Sequence, residues 1–275
     1  MRTAVLAVAV VLALAGPLTG ATTHPTPATH YQSLINDHHA HPTGMTVVVV
    51  PSAYVARDGT LLNPTLLTID VGTQAVLEAI DYWNWALREF EDEHPQLAHV
   101  TYTTKVLGVD ATLQDVADAR ILVVSAMVND RTAFLFHLGL GLPTYPPYFV
   151  QARGSNPMEL CTVWNTGAGS RVADVHPMRL RNLALHEFGH CLAAGHTHGS
   201  DSFGTPYPSA VKDELLDPMA GAVATYRQCI SNLNMAGLAE AYQWLPGAWQ
   251  PHDGQIYMRQ ADYDQTCMPT SLARF

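Results

Sequence analysis

The chain has 275 residues, 48% of them hydrophobic and 14% charged, and its formal net charge is −10. This apolar content is enough to build a folded core, and it excludes an intrinsically disordered chain. Because acidic residues outnumber basic ones and no basic run is present, we expect no nucleic-acid partner.

The N-terminus has the features of an export signal. Arg2 precedes an unbroken apolar stretch at residues 4–16, and small residues follow at Gly20 and Ala21. We therefore predict a signal peptide over residues 1–21, a secreted, extracellular protein, and no stable membrane association after cleavage. The alternative is an uncleaved anchor, but the apolar stretch is shorter than the roughly 20 residues that a membrane-spanning helix needs.

Residues 22–45 are rich in His, Pro and Thr and have no apolar periodicity. This pattern predicts a flexible leader or a short pro-segment. The leader contains His38, His39 and His41, for which a solvated polar tail is a simpler interpretation than a metal site. It contains no cysteine, so it cannot block a metal site through a thiolate.

A folded domain is predicted over residues 46–247, followed by a tail at 248–275. β-branched or alternating runs predict strands at 46–50, 100–106, 119–127, 134–148 and 160–164. The prolines after residue 142 make the fourth of these an edge strand that leads into a loop. Helices are predicted at 71–91, 178–193 and 233–245, with a long loop at 195–227. The alternation of strands and helices indicates an α/β (α+β) fold.

The predicted helix at 178–193 carries the residues with the clearest chemistry. His186 and His190 are four positions apart, so one face of a helix presents both imidazoles to a single metal ion. Catalytic zinc keeps three protein ligands and one open position. We predict His196 as the third ligand, because Gly195 can take a positive φ and turn the chain back. Glu187 lies beside the pair and is the candidate general base.

The stretch from His186 to His196 resembles the long zinc-binding signature of the metzincin peptidases, in which the third His comes six residues after the second. The family pattern has glycine where this chain has Ala193, and His198 is the alternative third ligand. The segment at 217–221 (Asp-Pro-Met-Ala-Gly) is similar to the turn that places a methionine under the zinc in these enzymes. The resemblance therefore implies that Met219 forms this floor.

Other stretches resemble the matrixin branch of the clan. They are Ala-Asp-Ala-Arg-Ile at 117–121, Leu-Pro-Thr-Tyr-Pro-Pro at 142–147, and the predicted last helix. The resemblance implies a twisted mixed sheet, an active-site helix and a C-terminal helical subdomain. It also implies that substrate peptide pairs with an edge strand at Leu138, Leu140 and Leu142.

These features together predict a secreted, monomeric zinc endopeptidase that acts on protein or peptide substrates. One Zn²⁺ would activate water, and Glu187 would act as general base. Two alternatives remain open. A gluzincin-type peptidase would use Glu240 or Glu214 instead of His196, and a secreted zinc-binding module would have no activity. No EF-hand spacing is present, so calcium is not predicted.

The chain has four cysteines, and an oxidising destination would let them pair. Three pairings are open. We favour Cys229 with Cys267, which would tie the tail to the body, and Cys161 with Cys191. The alternative for Cys191 is a small buried residue of its helix.

Overall fold

The computed structural model describes residues 30–35, 44–51, 71–108, 115, 119, 121–125, 150–151, 161–164, 176–198, 215–216, 225–242 and 255–274. The predicted signal peptide and the predicted edge strand at 134–148 lie outside them. The described residues form three α-helices: α1 (Val71–Glu89), α2 (Pro177–Cys191) and α3 (Asn232–Tyr242). The strands are β1 (His30–Ile35), β2 (Met45–Val50), β3 (Tyr102–Val106), β4 (Ile121–Val124), β5 (Val150–Gln151), β6 (Cys161–Trp164), β7 (Ala194–His198), β8 (Ile230–Ser231), β9 (Gln255–Arg259) and β10 (Gln265–Thr266).

The largest sheet is mixed, and its strand order is β3-β2-β4-β6-β5. The first four strands are parallel, and β5 pairs antiparallel with β6 at the edge. Parallel strands need crossover connections, and α1 supplies the one between β2 and β3. The predicted mixed α/β class is therefore confirmed, and the three predicted helices are confirmed to within three residues at each end.

The core lies where α1 and α2 pack on each other and on this sheet. Alternate strand residues, including Val47, Val49 and Ile121, face the helices, as the two-residue period of a strand requires. Trp83 of α1 is fully buried, and its indole Nε1 donates to the Leu185 carbonyl of α2 at 2.7 Å. This contact joins the two helices next to the histidine motif.

None of the three strands of the second sheet was predicted from the sequence. Its order is β7-β1-β9, with antiparallel pairing throughout. The expectation of a leader without regular structure is wrong for β1, which lies within residues 22–45. The predicted loop at 195–227 is likewise wrong at its start, because residues up to His198 continue β7. Strand pairing between distant segments, rather than local sequence, produces both elements.

The C-terminal tail is attached to the body at several points. Cys229 and Cys267 form the predicted disulfide. The Tyr82 hydroxyl of α1 donates to the Thr266 carbonyl at 2.5 Å, and β10 pairs with β8. Cys191 is a small buried core residue of its helix, and it is also disulfide-bonded, as the pairing alternative expected. The side chain of its predicted partner, Cys161, lies outside what the structure describes.

A buried carboxylate links α1, α2 and the tail. Glu78 has no exposed side-chain surface and forms ion pairs with Arg181 at 3.2 Å and Arg227 at 2.6 Å. Its other oxygen accepts from the backbone N–H of Arg274 at 2.9 Å. A buried charge is tolerated only when it is paired and hydrogen-bonded, and the Glu78 carboxylate is.

A membrane-spanning helix needs a long apolar run, and none of the helices among the described residues has one.

Candidate metal centre

Helix α2 presents the first part of the site. It begins at Pro177, whose fixed φ suits the first turn, and the His176 Nδ1 accepts from the Met178 N–H at 3.2 Å. The helix continues through His186, Glu187 and His190. The His186 side chain is buried, and the His190 side chain is half-buried.

The turn after α2 occurs at Ala193, not at the predicted Gly195. Ala193 has a φ of 83°, in the left-handed region, while Gly195 lies within β7. The Ala193 N–H donates to the His190 carbonyl at 3.0 Å and so closes the helix end. The prediction that Gly195 makes the bend is therefore wrong. The chain nevertheless turns back and carries His196 toward the helix.

The structure brings the three predicted histidines together. The Nε2 atom of His190 lies 3.1 Å from the Nε2 of His186 and 3.1 Å from the Nε2 of His196. Ligand atoms of all three residues lie within 4.8 Å of one another. A tetrahedral ion with metal–nitrogen distances of about 2.0–2.1 Å requires nitrogens a little over 3 Å apart. These three residues could therefore hold a metal ion.

Two backbone carbonyls orient the imidazoles. The Nδ1 of His186 donates to the Leu215 carbonyl at 2.7 Å, and the Nδ1 of His190 donates to the Ala194 carbonyl at 2.8 Å. Because a carbonyl only accepts, each Nδ1 must carry the proton. The lone pair of each ring is then on Nε2, the atom that faces the cluster. Such outer contacts are typical of metal-binding histidines.

The Leu215–Leu216 dipeptide connects two parts of the site. The Leu215 carbonyl holds His186, and the next carbonyl, that of Leu216, accepts from the Thr197 N–H at 3.1 Å. Thr197 directly follows His196 in β7. Sequence reasoning missed this dipeptide, because a contact made by a backbone carbonyl leaves no residue type to recognise. No motif could have identified it.

Burial sets the protonation of the two most enclosed groups. Desolvation lowers the pKa of His186 to about 4, against a smaller opposite effect of the hydrogen bond to Leu215. The ring is therefore neutral at neutral pH, the form that binds metal. Glu187 is 5% exposed, and its burial raises the pKa of the carboxyl to about 8. A carboxyl in this range can accept and return a proton near neutrality.

Several other candidates lie outside the described residues. They are Met219, the substrate-strand residues Leu138, Leu140 and Leu142, the leader histidines and Glu214. The backbone of His198 belongs to β7, but its side chain is also outside the description. Glu240 is described on α3, half-buried, and it does not belong to the three-histidine cluster.

The fold and the site thus define an α/β protein with a cluster of three histidines that could bind a metal, and a buried glutamate that directly follows the first of them in the helix. A comparison of the sequence with models of known protein families finds no match. A comparison with curated proteins also finds no match.

Proposed function

We propose that the chain is a secreted zinc-dependent endopeptidase of the metzincin type. The observation that carries the proposal is the convergence of three histidine ligand atoms, in a segment where a buried glutamate, Glu187, directly follows the first histidine. A purely structural zinc site closes all four positions with protein ligands, whereas the part of the chain that the structure describes supplies three, which leave a position for substrate or water. The arrangement therefore favours catalysis over scaffolding.

Zinc is the metal that this donor set suits best. Three neutral imidazoles with tetrahedral spacing are a common catalytic zinc environment. When bound, zinc would lower the pKa of a water molecule and polarise a carbonyl group. His186, His190 and His196 would hold it through Nε2. The carbonyls of Leu215 and Ala194 keep two of these atoms free of protons.

Glu187 would move the proton. It directly follows His186 in α2, and in the proposed mechanism its carboxyl serves the open side of the cluster. As general base it accepts a proton from the attacking water. As general acid it then returns that proton to the departing amine, which is a poor leaving group unless protonated. Burial raises the pKa of this carboxyl to about 8, so its protonated and ionised forms are both accessible near neutral pH.

The conformation of Ala193 supports the resemblance to metzincins. The family pattern has glycine at this position, and a glycine there is explained by a left-handed residue in the turn after the helix. Ala193 occupies the same position with a φ of 83°. The chain thus keeps the path of the turn without the residue that usually permits it. Its third ligand is then His196, as the family spacing implies, rather than a downstream glutamate.

The experiment that tests the proposal replaces Glu187 by Gln. We expect E187Q to bind zinc as the native protein does, because none of the three ligands changes. Its hydrolysis of unfolded casein should fall by about 10²- to 10⁴-fold, because the general base is lost. Casein cleavage by the native protein should also stop on addition of a chelator and return with zinc.

The matched control is Glu240→Gln. Glu240 is a half-buried glutamate outside the histidine cluster, so E240Q should keep both zinc and activity. Loss of zinc in E240Q would instead support a gluzincin-type ligand set. A native protein that binds zinc without cleaving casein would support the alternative of an inactive zinc-binding module.

A further inference from the structure

Strand β1 lies directly beside the strand that carries His196. It pairs antiparallel with β7 through Gln32 opposite His198, Ser33 opposite Thr197, and Ile35 opposite Ala194. The segment that follows the histidine helix is thus held by a strand from the N-terminal leader. These partners are more than 150 residues apart in the chain, so the pairing is a tertiary feature of the site.

The pairing is irregular at His196 itself. Between Ser33 and Ile35, β1 has one residue, whereas β7 has two, Gly195 and His196, between the partners of these residues. This is the arrangement of a β-bulge, which bends the strand and redirects a side chain. The direction of the His196 ring therefore depends on the hydrogen-bonded ladder between β7 and β1.

Strand β1 is itself fixed in place. Its other edge pairs with β9 from His30 to Leu34, and the Tyr31 ring packs edge-to-face on Tyr263 of the tail at 5.1 Å. Ser33 is 1% exposed and lies against α3. A Cβ added at Gly237 of α3 would lie 2.5 Å from the Ser33 Oγ and 3.2 Å from its Cβ. Glycine at 237 thus permits the close approach of α3 to β1.

We propose that β1 is a retained positioning strand that sets the third metal ligand, so that removal of the leader, where it occurs, ends upstream of His30. The inference rests on the proposed metal-dependent function. It adds that a strand of the leader helps to build the site. If residues 22–45 were removed as a whole, β7 would lose its partner strand next to His196.

The first test is Gly237→Ala in the full chain. Its Cβ should displace Ser33 and with it β1. We expect zinc affinity, measured by competition with a chelator, to fall about tenfold or more, the range typical of lost outer contacts to a metal site. The absorption spectrum of the Co²⁺-loaded protein should also change, because it reports the ligand geometry.

Two further variants separate this effect from general damage. Adding Ser33→Ala to G237A removes the closest clashing atom and should restore most of the affinity and the native Co²⁺ spectrum. Ala236→Val adds bulk to the neighbouring position of α3, on a different side of the helix, and should leave both unchanged. Native affinity in a folded G237A would overturn the proposal, and so would equal losses in G237A and A236V.

The second test does not depend on any variant being stable. The N-terminus of the secreted, zinc-loaded protein is sequenced, and we expect it at or before His30. A mature protein that starts after Ile35 and still binds zinc fully would overturn the proposal. If instead the proposed peptidase function is wrong, the protein should bind zinc and begin at or before His30 but fail to cleave casein.

Discussion

Ala193 shows how one residue can determine the course of the chain at the site. A non-glycine residue in the left-handed region costs roughly 1–2 kcal/mol, but the Ala193 methyl is fully buried, which returns about 0.8 kcal/mol. Burial of the methyl thus offsets a large part of the cost of the left-handed conformation. This balance explains how alanine can stand at a position where glycine would be the ordinary choice.

A substitution to glycine tests this balance. We expect Ala193→Gly to change the free energy of unfolding in urea by less than about 1 kcal/mol. The matched control is Ala194→Gly, at an equally buried residue in the extended conformation of β7. In A194G the lost methyl burial and the added backbone freedom act in the same direction. They should lower the free energy of unfolding by more than about 1 kcal/mol. Equal losses in both variants would contradict the role given to the left-handed turn.

The identity of the third ligand is tested by metal analysis. His196→Ala should lower zinc affinity by more than the roughly 10- to 100-fold that an outer contact contributes, since a direct ligand is removed. His198→Ala, two positions along the same strand, is the control and should keep native affinity. If H198A loses zinc and H196A retains it, the assignment of the third ligand is wrong.

The sequence predicted the convergence of the three histidines. The spacing of His186, Glu187 and His190 needs only a helix, and the three histidines do converge. The bend was assigned to Gly195 because glycine is the residue most often found there, and alanine gives no comparable indication. The carbonyls that orient the rings could not be predicted, because every residue has one.

Among the elements, α1 and α2 pack unusually closely at Gly189. A Cβ at this position would lie 2.6 Å from the Trp83 ring, which is fully buried and hydrogen-bonded to the Leu185 carbonyl. The ring therefore has little room to move away. Gly189 directly precedes His190 in α2. The packing of α1 against Gly189 therefore also fixes the position of His190.

Substitution of this glycine should therefore be harmful. Alanine favours a helix by about 1 kcal/mol over glycine, but overpacking a core costs roughly 1–3 kcal/mol. We expect Gly189→Ala to lower the free energy of unfolding in urea. The same change in a Trp83→Phe background, where the indole is replaced by a smaller ring, should be less damaging or even stabilising. An identical loss in both backgrounds would show that the contact with Trp83 is not the cause.

Elements with strong local periodicity were predictable, and elements defined by distant partners were not. The apolar stripe of α1 and the valines of β2 specify helix and strand without reference to the rest of the chain. Strand β1 has a polar, mixed sequence, His-Tyr-Gln-Ser-Leu-Ile, and becomes a strand because β7 and β9 flank it. Local patterns carry no information about such neighbours.

For the molecule as a whole, a strand of the leader and a strand of the C-terminal tail meet in the second sheet. The tail contributes β9 and the disulfide between Cys229 and Cys267, and the leader contributes β1. The favoured pairing of Cys229 with Cys267 correctly predicted that the tail is tied to the body. It could not predict that the leader and the tail pair with each other.

The disulfide should contribute much of the stability of this arrangement. Cys229 and Cys267 are 38 positions apart, and closing a loop of that length stabilises by about 4 kcal/mol in the chain-entropy treatment. We expect Cys229→Ala with Cys267→Ala to lower the free energy of unfolding by roughly 2–4 kcal/mol. Arg274→Ala removes an exposed ion pair with Asp81 in the same tail and should cost less than about 1 kcal/mol. If both variants lower the free energy of unfolding by similar amounts, the disulfide has no particular role in stability.

The contacts of the Leu215–Leu216 dipeptide have a consequence for how this protein can vary. A carbonyl belongs to the main chain, so exchanging Leu215 for another apolar residue leaves the hydrogen bond to His186 in place. A deletion or insertion that shifts the dipeptide by one position would instead remove both carbonyls from their partners at once. Related chains should therefore tolerate other apolar residues at positions 215 and 216 far better than a change in the number of residues between these positions and the histidines.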